Sequence, residues 1–182
     1  LDLKSGRIGI NTTPYLIAEI GVNHNGSPDE AKFLIASAAE AGINCVKFQH
    51  RTAAYFASNS FDSLDLAAQF TKMAIDKTLM SLTNLGKLVT YARSLSLDIC
   101  ITPFDSHAVK EAASLQPELL KIASCDLTSI PLIEECLRYR TPLIISTGMS
   151  HERDIISTSN FIDDRRHPTA FLHCVSSYPS LP

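Results

Sequence analysis

"ELLKIASCD", residues 118–126, sets a lysine inside an apolar run that reads as a strand and then breaks into hydroxyl, thiol and carboxyl groups. Successive side chains of a strand point to opposite faces, so Leu120 and Ile122 share one face while Leu119, Lys121 and Ala123 share the other. An ammonium group on that second face must find either solvent or an anion. The same arrangement recurs along the chain. In "INCVKFQ" (43–49) Val46 and Phe48 oppose Cys45, Lys47 and Gln49; in "YLIAEI" (15–20) Ala18 and Ile20 oppose Ile17 and Glu19; in "PLIISTG" (142–148) Ile145 opposes Ile144 and Ser146. With "LDICIT" (97–102) and "TAFLHC" (169–174), these give six short, β-branched runs bounded by turn residues, the pattern of strands buried on both faces.

Helical stretches separate most of them. "PDEAKFLIASAAEAG" (28–42) has Ser27 as N-cap, Pro28 in the first turn and Glu30 at the capping-box position, and Gly42 ends it. Further helices are expected at about 79–95, at 106–115 behind Asp105, at 131–139 and at 151–164 behind Ser150. Residues 50–78 read as a long polar connection. Strict βα alternation implies a parallel sheet covered by helices, either doubly wound or a barrel. The polar residues decide between the two. Glu19, Lys47, Thr102, Lys121 and Ser146 all fall near the C-terminal ends of their strands on the face opposite the large aliphatics, and a barrel gathers them at the one rim where barrel enzymes place their chemistry. The first βα turn, "GVNHNG", is no GxGxxG fingerprint. The expectation is an α/β fold of the (β/α)8 TIM-barrel type, incomplete in a chain of 182 residues with about six βα units.

Bulk properties narrow the partners. Sixteen Lys and Arg against 19 Asp and Glu leave a net charge of −3, which argues against nucleic acid or anionic lipid and for small molecules. Cys45, Cys100, Cys125, Cys136 and Cys174 are odd in number and form no CxxC pair, so neither a disulfide framework nor a zinc site is expected, and a reducing cytoplasm fits best. No stretch reaches the roughly 20 apolar residues of a membrane span. Two lysines brought together in a dry rim, with Glu19 as one counter-charge, call for a phosphate or carboxylate ligand, to which Ser124, Ser146 and Thr147 can add donors. The alternative is that both lysines snorkel to solvent.

"IAEIGVNHNG", "VKFQ", "TPFD", "KIASCD", "STGM" and "HCVSSYP" occur in the order and spacing of the sialic acid synthase family, which the chain resembles from about residue 14 onward. The resemblance implies condensation of phosphoenolpyruvate with an N-acylated amino sugar such as N-acetylmannosamine, giving a nonulosonic acid and phosphate with Mn2+ or Mg2+. It implies that Lys47 and Lys121 hold the phosphate and carboxylate, helped by Thr102, Ser124 and Ser146. Glu19 lies where the family moves a proton or positions water, and a counter-ion for either lysine is the plainer reading. Gln49 and Tyr178 match sugar-contacting positions, Asp126 stands where many relatives have Glu, and Ser176 where some have Asn. The family's metal-binding histidines lie on later strands, and a C-terminal antifreeze-like domain reaches the partner subunit of a homodimer; residues 1–182 correspond to the N-terminal part of the barrel alone.

Other residues read more plainly. His24 either touches substrate or steadies its loop, His173 shares a face with Phe171 and reads as core, and Cys45, Cys100 and Cys174 read as small core residues. Cys125 has no evident histidine partner, and "DDRR" (163–166) reads as a solvated helix end. Two rivals remain open: a Schiff-base aldolase with Lys121 as nucleophile, and a non-catalytic binding piece.

Overall fold

The computed structural model describes residues 1–52, 55, 66–177 and 179. Strands β1 (Asp2–Leu3) and β2 (Gly6–Arg7) form a small antiparallel hairpin. The main sheet contains β3 (Ile17–Gly21), β4 (Cys45–His50), β5 (Asp98–Pro103), β6 (Leu119–Ile122), β7 (Leu143–Ser146) and β8 (Thr169–Leu172), all parallel. Each strand pairs with its neighbours in sequence, in the order β3-β4-β5-β6-β7-β8. A doubly wound sheet reverses its order at a switch point, whereas a barrel advances one strand at a time. This sheet advances throughout, with β3 and β8 as its edges.

Helices α1 (Pro28–Glu40), α3 (Leu82–Ser94), α4 (Ser106–Ser114), α5 (Ile130–Leu137) and α6 (Glu152–Asp163) form the outer layer. Their starts follow local chemistry: Ser27 accepts from Glu30 N, Ser81 from Asn84 N and Asp105 from Ala108 N. Helix α6 begins one residue later than expected, with His151 as N-cap and its N–H donating to the Asp154 carboxylate at 3.2 Å. Helix α2 (Leu66–Asp76) occupies part of the connection read as a polar loop. Its apolar residues Leu66, Phe70 and Met73 are exposed, and none of its residues is buried among the described residues.

The alternation divides the core in two. Val46, Phe48, Ile99, Ile101, Leu120, Ile122, Leu143 and Ile145 pack outward against the helices. Cys45, Cys100, Leu119 and Ile144 point inward and meet Leu1, Leu3, Ile8, Tyr15 and Ile17, so the N-terminal segment plugs the bottom of the sheet. Asp98 anchors that plug. It accepts from Ser5 N at 3.0 Å, Ser5 Oγ at 2.6 Å and Tyr15 Oη at 2.7 Å. Burial raises the Tyr15 pKa, with Cys45 adding to it, so the phenol remains a donor.

Candidate active site

The inward face carries its polar residues toward the C-terminal rim. Lys47 is 4% exposed, follows Cys45 on the inner side of β4, and donates to Glu19 Oε2 at 2.6 Å. Residue 19 pairs with residue 47 across β3 and β4, and the register slips just beyond, where Gly21 pairs with Phe48. Gly21 has φ +49°, and a Cβ there would collide with the Glu19 carboxylate, so glycine lets the bulge fold the acid back over Lys47.

Lys121 is half-buried on the next inner position after Leu119. Its pKa is lowered first by burial and next by the Lys47 ammonium, with Cys100 and Glu19 opposing. The two cations therefore share one site, in which Glu19 is ion-paired to Lys47. Beneath them the Cys100 thiol is pushed up to about 12 by burial, against the pull of both lysines, so the floor stays neutral. Thr102 faces the same interior, opposite Gln49 in register; it is 1% exposed, and its Oγ1 has no hydrogen-bond partner. A buried hydroxyl without a partner costs about 1–3 kcal/mol, which a bound acceptor would offset.

Ser146 and Ser124 close the far side. Ser146 is buried at the end of β7, and Gly148 N donates to Ser124 Oγ at 3.1 Å. The Ser176 hydroxyl lies in the space that a Cβ on Gly148 would take, with Ser124 Oγ and Cys174 Cβ close beside it. Cys174, read as a core residue, lies beyond β8 and belongs to this group. Burial raises its pKa, but Ser146, the Thr147 and Gly148 backbone and the Lys121 charge outweigh it, leaving the thiol below its ordinary value.

A second cluster lies alongside. Gln49 Oε1 accepts from Arg51 Nη1 at 2.9 Å, and the Arg51 guanidinium stacks over the Phe104 ring at 3.6 Å. Burial lowers the Arg51 pKa, and Asp126 is among the groups that oppose this. Asp126 is itself raised by burial, against Cys125 and Arg51. Arg51 went unnoticed in the sequence because its position depends on Phe104, 53 residues away; an arginine two residues after the inward-facing Gln49 was the available clue.

Tyr178 lies outside the described residues. His24 is 1% exposed and accepts from Gly26 N at 3.0 Å, the loop-steadying arrangement, with its pKa lowered by burial. His173 is exposed rather than core, because it follows the end of edge strand β8 where no helix covers it among the described residues. Burial and the adjacent Asp126 raise the Cys125 thiol, the reverse of an activated nucleophile. Among the described residues no three His, Cys, Asp or Glu side chains converge as metal ligands. These residues do not by themselves fit the divalent ion that the resemblance implies.

Comparison with known proteins bears on the family and the fold. The chain is 31% identical over its whole length to an N-acetylneuraminate-9-phosphate synthase of Drosophila melanogaster, covering 50% of that protein. It is 32% identical over 94% of its length to an N,N'-diacetyllegionaminic acid synthase of Legionella pneumophila, covering 51% of that one. The chain thus spans about half the length of the curated relatives it matches. Among solved structures, the N-acetylneuraminic acid synthetase of Leptospira borgpetersenii superposes with a TM-score of 0.81 at 27% identity, over 98% of this chain and 62% of that one. A truncated 3-deoxy-D-arabino-heptulosonate 7-phosphate synthase of Thermotoga maritima, at 9% identity and a TM-score of 0.64, shares the fold. Residues 34–182 match the NeuB family, and with a barrel-type sheet and its lysine-lined rim already in place, the chain belongs to that family.

Proposed function

We propose that this chain forms the phosphoenolpyruvate-binding part of an enzyme that condenses phosphoenolpyruvate with an N-acylated amino sugar, making a nonulosonic acid and phosphate. The relatives named as sialic and legionaminic acid synthases support the product class. One observation carries the reading: Lys47 and Lys121 are desolvated on the inner face, close enough for each charge to act on the other, with Glu19 paired among the described residues to Lys47 alone and the unpartnered Thr102 hydroxyl buried nearby. An uncompensated cation in such a place costs several kcal/mol, and a ligand with a phosphate and a carboxylate removes the cost at both ammonium groups.

In this reading Lys47 and Lys121 grip the two anionic groups and Thr102, Ser124 and Ser146 donate to their oxygens. C3 of phosphoenolpyruvate adds to the sugar aldehyde, water adds to the cation left at C2, and the C–O bond to phosphate breaks. Glu19, held by Lys47, positions the water and takes its proton. Gln49, Asp126 and Ser176 face the sugar, and Tyr178 joins them only as an expectation from the sequence. The fixed cations supply preorganised charge for the departing phosphate. Calorimetry with phosphoenolpyruvate and no metal tests the reading. Binding that Lys47→Ala or Lys121→Ala weakens by about tenfold or more is expected; undiminished binding by both variants overturns it. The 182 residues alone are expected to release no phosphate, and measurable release refutes that division of labour. A Schiff-base aldolase is favoured by the lowered Lys121 pKa. Borohydride trapping of pyruvate on Lys121 would establish that chemistry instead.

A further inference from the structure

At the end of the sheet opposite the lysine rim, the turns that follow α5 and α6 border a half-open cavity of about 530 Å3. Arg138, Arg140, Arg165 and Arg166 line it with His167, and Glu134 is the one carboxylate in the wall. In a chain of net charge −3 this is a local excess of positive charge. Two of the arginines are engaged: Arg138 Nη1 lies 2.8 Å from Glu135, and Arg165 donates to Phe161 O at 2.7 Å while stacking on that ring. The other two are not. No hydrogen bond or ion pair joins the Arg140 or Arg166 side chain to any described residue. Both ring nitrogens of His167 are buried without a partner. Burial lowers its pKa, a weak backbone contact at Pro168 opposes this, and Arg140 adds to the lowering, so the ring is neutral, and no partner of good hydrogen-bonding geometry among the described residues takes its N–H or its bare nitrogen.

The ordinary role of arginine here is to face the negative end of a helix. The neighbouring turns argue against that as the whole explanation. The equivalent residues after α3, α4, α5 and α6 are Ser96, Gln116, Arg140 and Arg166, all with φ between +51° and +62°. The backbone demands a left-handed residue at every one of these turns, and the first two end their helices without a cation at that position. A guanidinium also reaches the turn after α4, where Arg93 from the preceding helix donates to Gln116 O, but only the two turns that border the cavity carry the arginine at the left-handed position itself.

We propose that this cavity binds a hydroxylated phosphate monoester. The Arg140 and Arg166 forks match phosphate oxygens, His167 donates to a further oxygen, and its second nitrogen accepts from a ligand hydroxyl. The volume lies within the range of small-molecule sites.

The test is titration of the 182-residue chain with glycerol phosphate and with inorganic phosphate, read on the imidazole nitrogens of His167 by 15N NMR. It is done in a Lys47→Ala, Lys121→Ala background, so that binding at the rim does not contribute and the outcome is independent of the function proposed above. A saturable His167 response, stronger for glycerol phosphate than for phosphate, is expected. Arg140→Gly with Arg166→Gly should weaken it by roughly tenfold or more. Glycine suits the left-handed backbone, so this variant keeps the fold. Should the lysine background fail to fold, the same titration on the unsubstituted chain, read at His167 alone, decides. A His167 response no greater than that to chloride at equal ionic strength, or one that survives the double glycine variant, overturns the site.

Discussion

Strand β5 carries a polar inward side chain at each end, and the two ends are treated in opposite ways. At the bottom, Asp98 is 2% exposed and satisfied by three donors from the N-terminal plug. At the top, Thr102 is just as buried and has no partner, and of the two nearby lysines only Lys47 is ion-paired to Glu19 among the described residues. Burial does not separate Asp98 from Thr102, since both side chains are out of solvent. Satisfaction does: the complete network holds the plug in place, and the incomplete one has capacity left for a ligand.

The largest expected effect sharpens this contrast. Lys47→Ala should weaken phosphoenolpyruvate by about 100-fold or more, measured by calorimetry, because it deletes a charge-assisted contact and leaves Glu19 beside the ligand. Asp98→Ala should do the converse. It should cost roughly 3 kcal/mol in urea unfolding, since three donors lose their acceptor, and in the folded fraction leave affinity for phosphoenolpyruvate within about twofold. A large loss of affinity there would break the separation between the ends.

Lys121→Met should weaken ligand binding by roughly 30-fold and raise Tm by roughly 2–4 °C, the shift given by about 1 kcal/mol in a domain of this size. The same residue sets a pH dependence. Its folded pKa lies below 10.5, so between the two values the unfolded chain holds the extra proton and stability rises with pH. Lys121→Met should remove that rise from thermal melts across the alkaline range. Smallest is Thr102→Val: affinity should fall by about fivefold while stability holds or improves, because an unpartnered hydroxyl is replaced by a methyl group.

How much of this could be read beforehand depended on the range of the causes. The six strands and the inward set Glu19, Lys47, Thr102, Lys121 and Ser146 were legible because period-two alternation is local and a lysine in an aliphatic strand stands out. The plug was not: β1 and β2 are two residues each, and their partner Asp98 lies 93 residues from Ser5. The Arg51 stack on Phe104 escaped for the same reason. His173 was misread because sharing a face with Phe171 implies cover only where a helix lies over that stretch, and β8 is an edge. Tyr178 lies outside the described residues, so its place in the site stays an expectation from the sequence.

Gly148 holds open a gap no wider than one carbon between the turns after β6 and β7, into which the Ser176 hydroxyl already projects. A single methyl added there would act as a tethered blocker, competing for the room a substrate oxygen needs while leaving every charged group where it was.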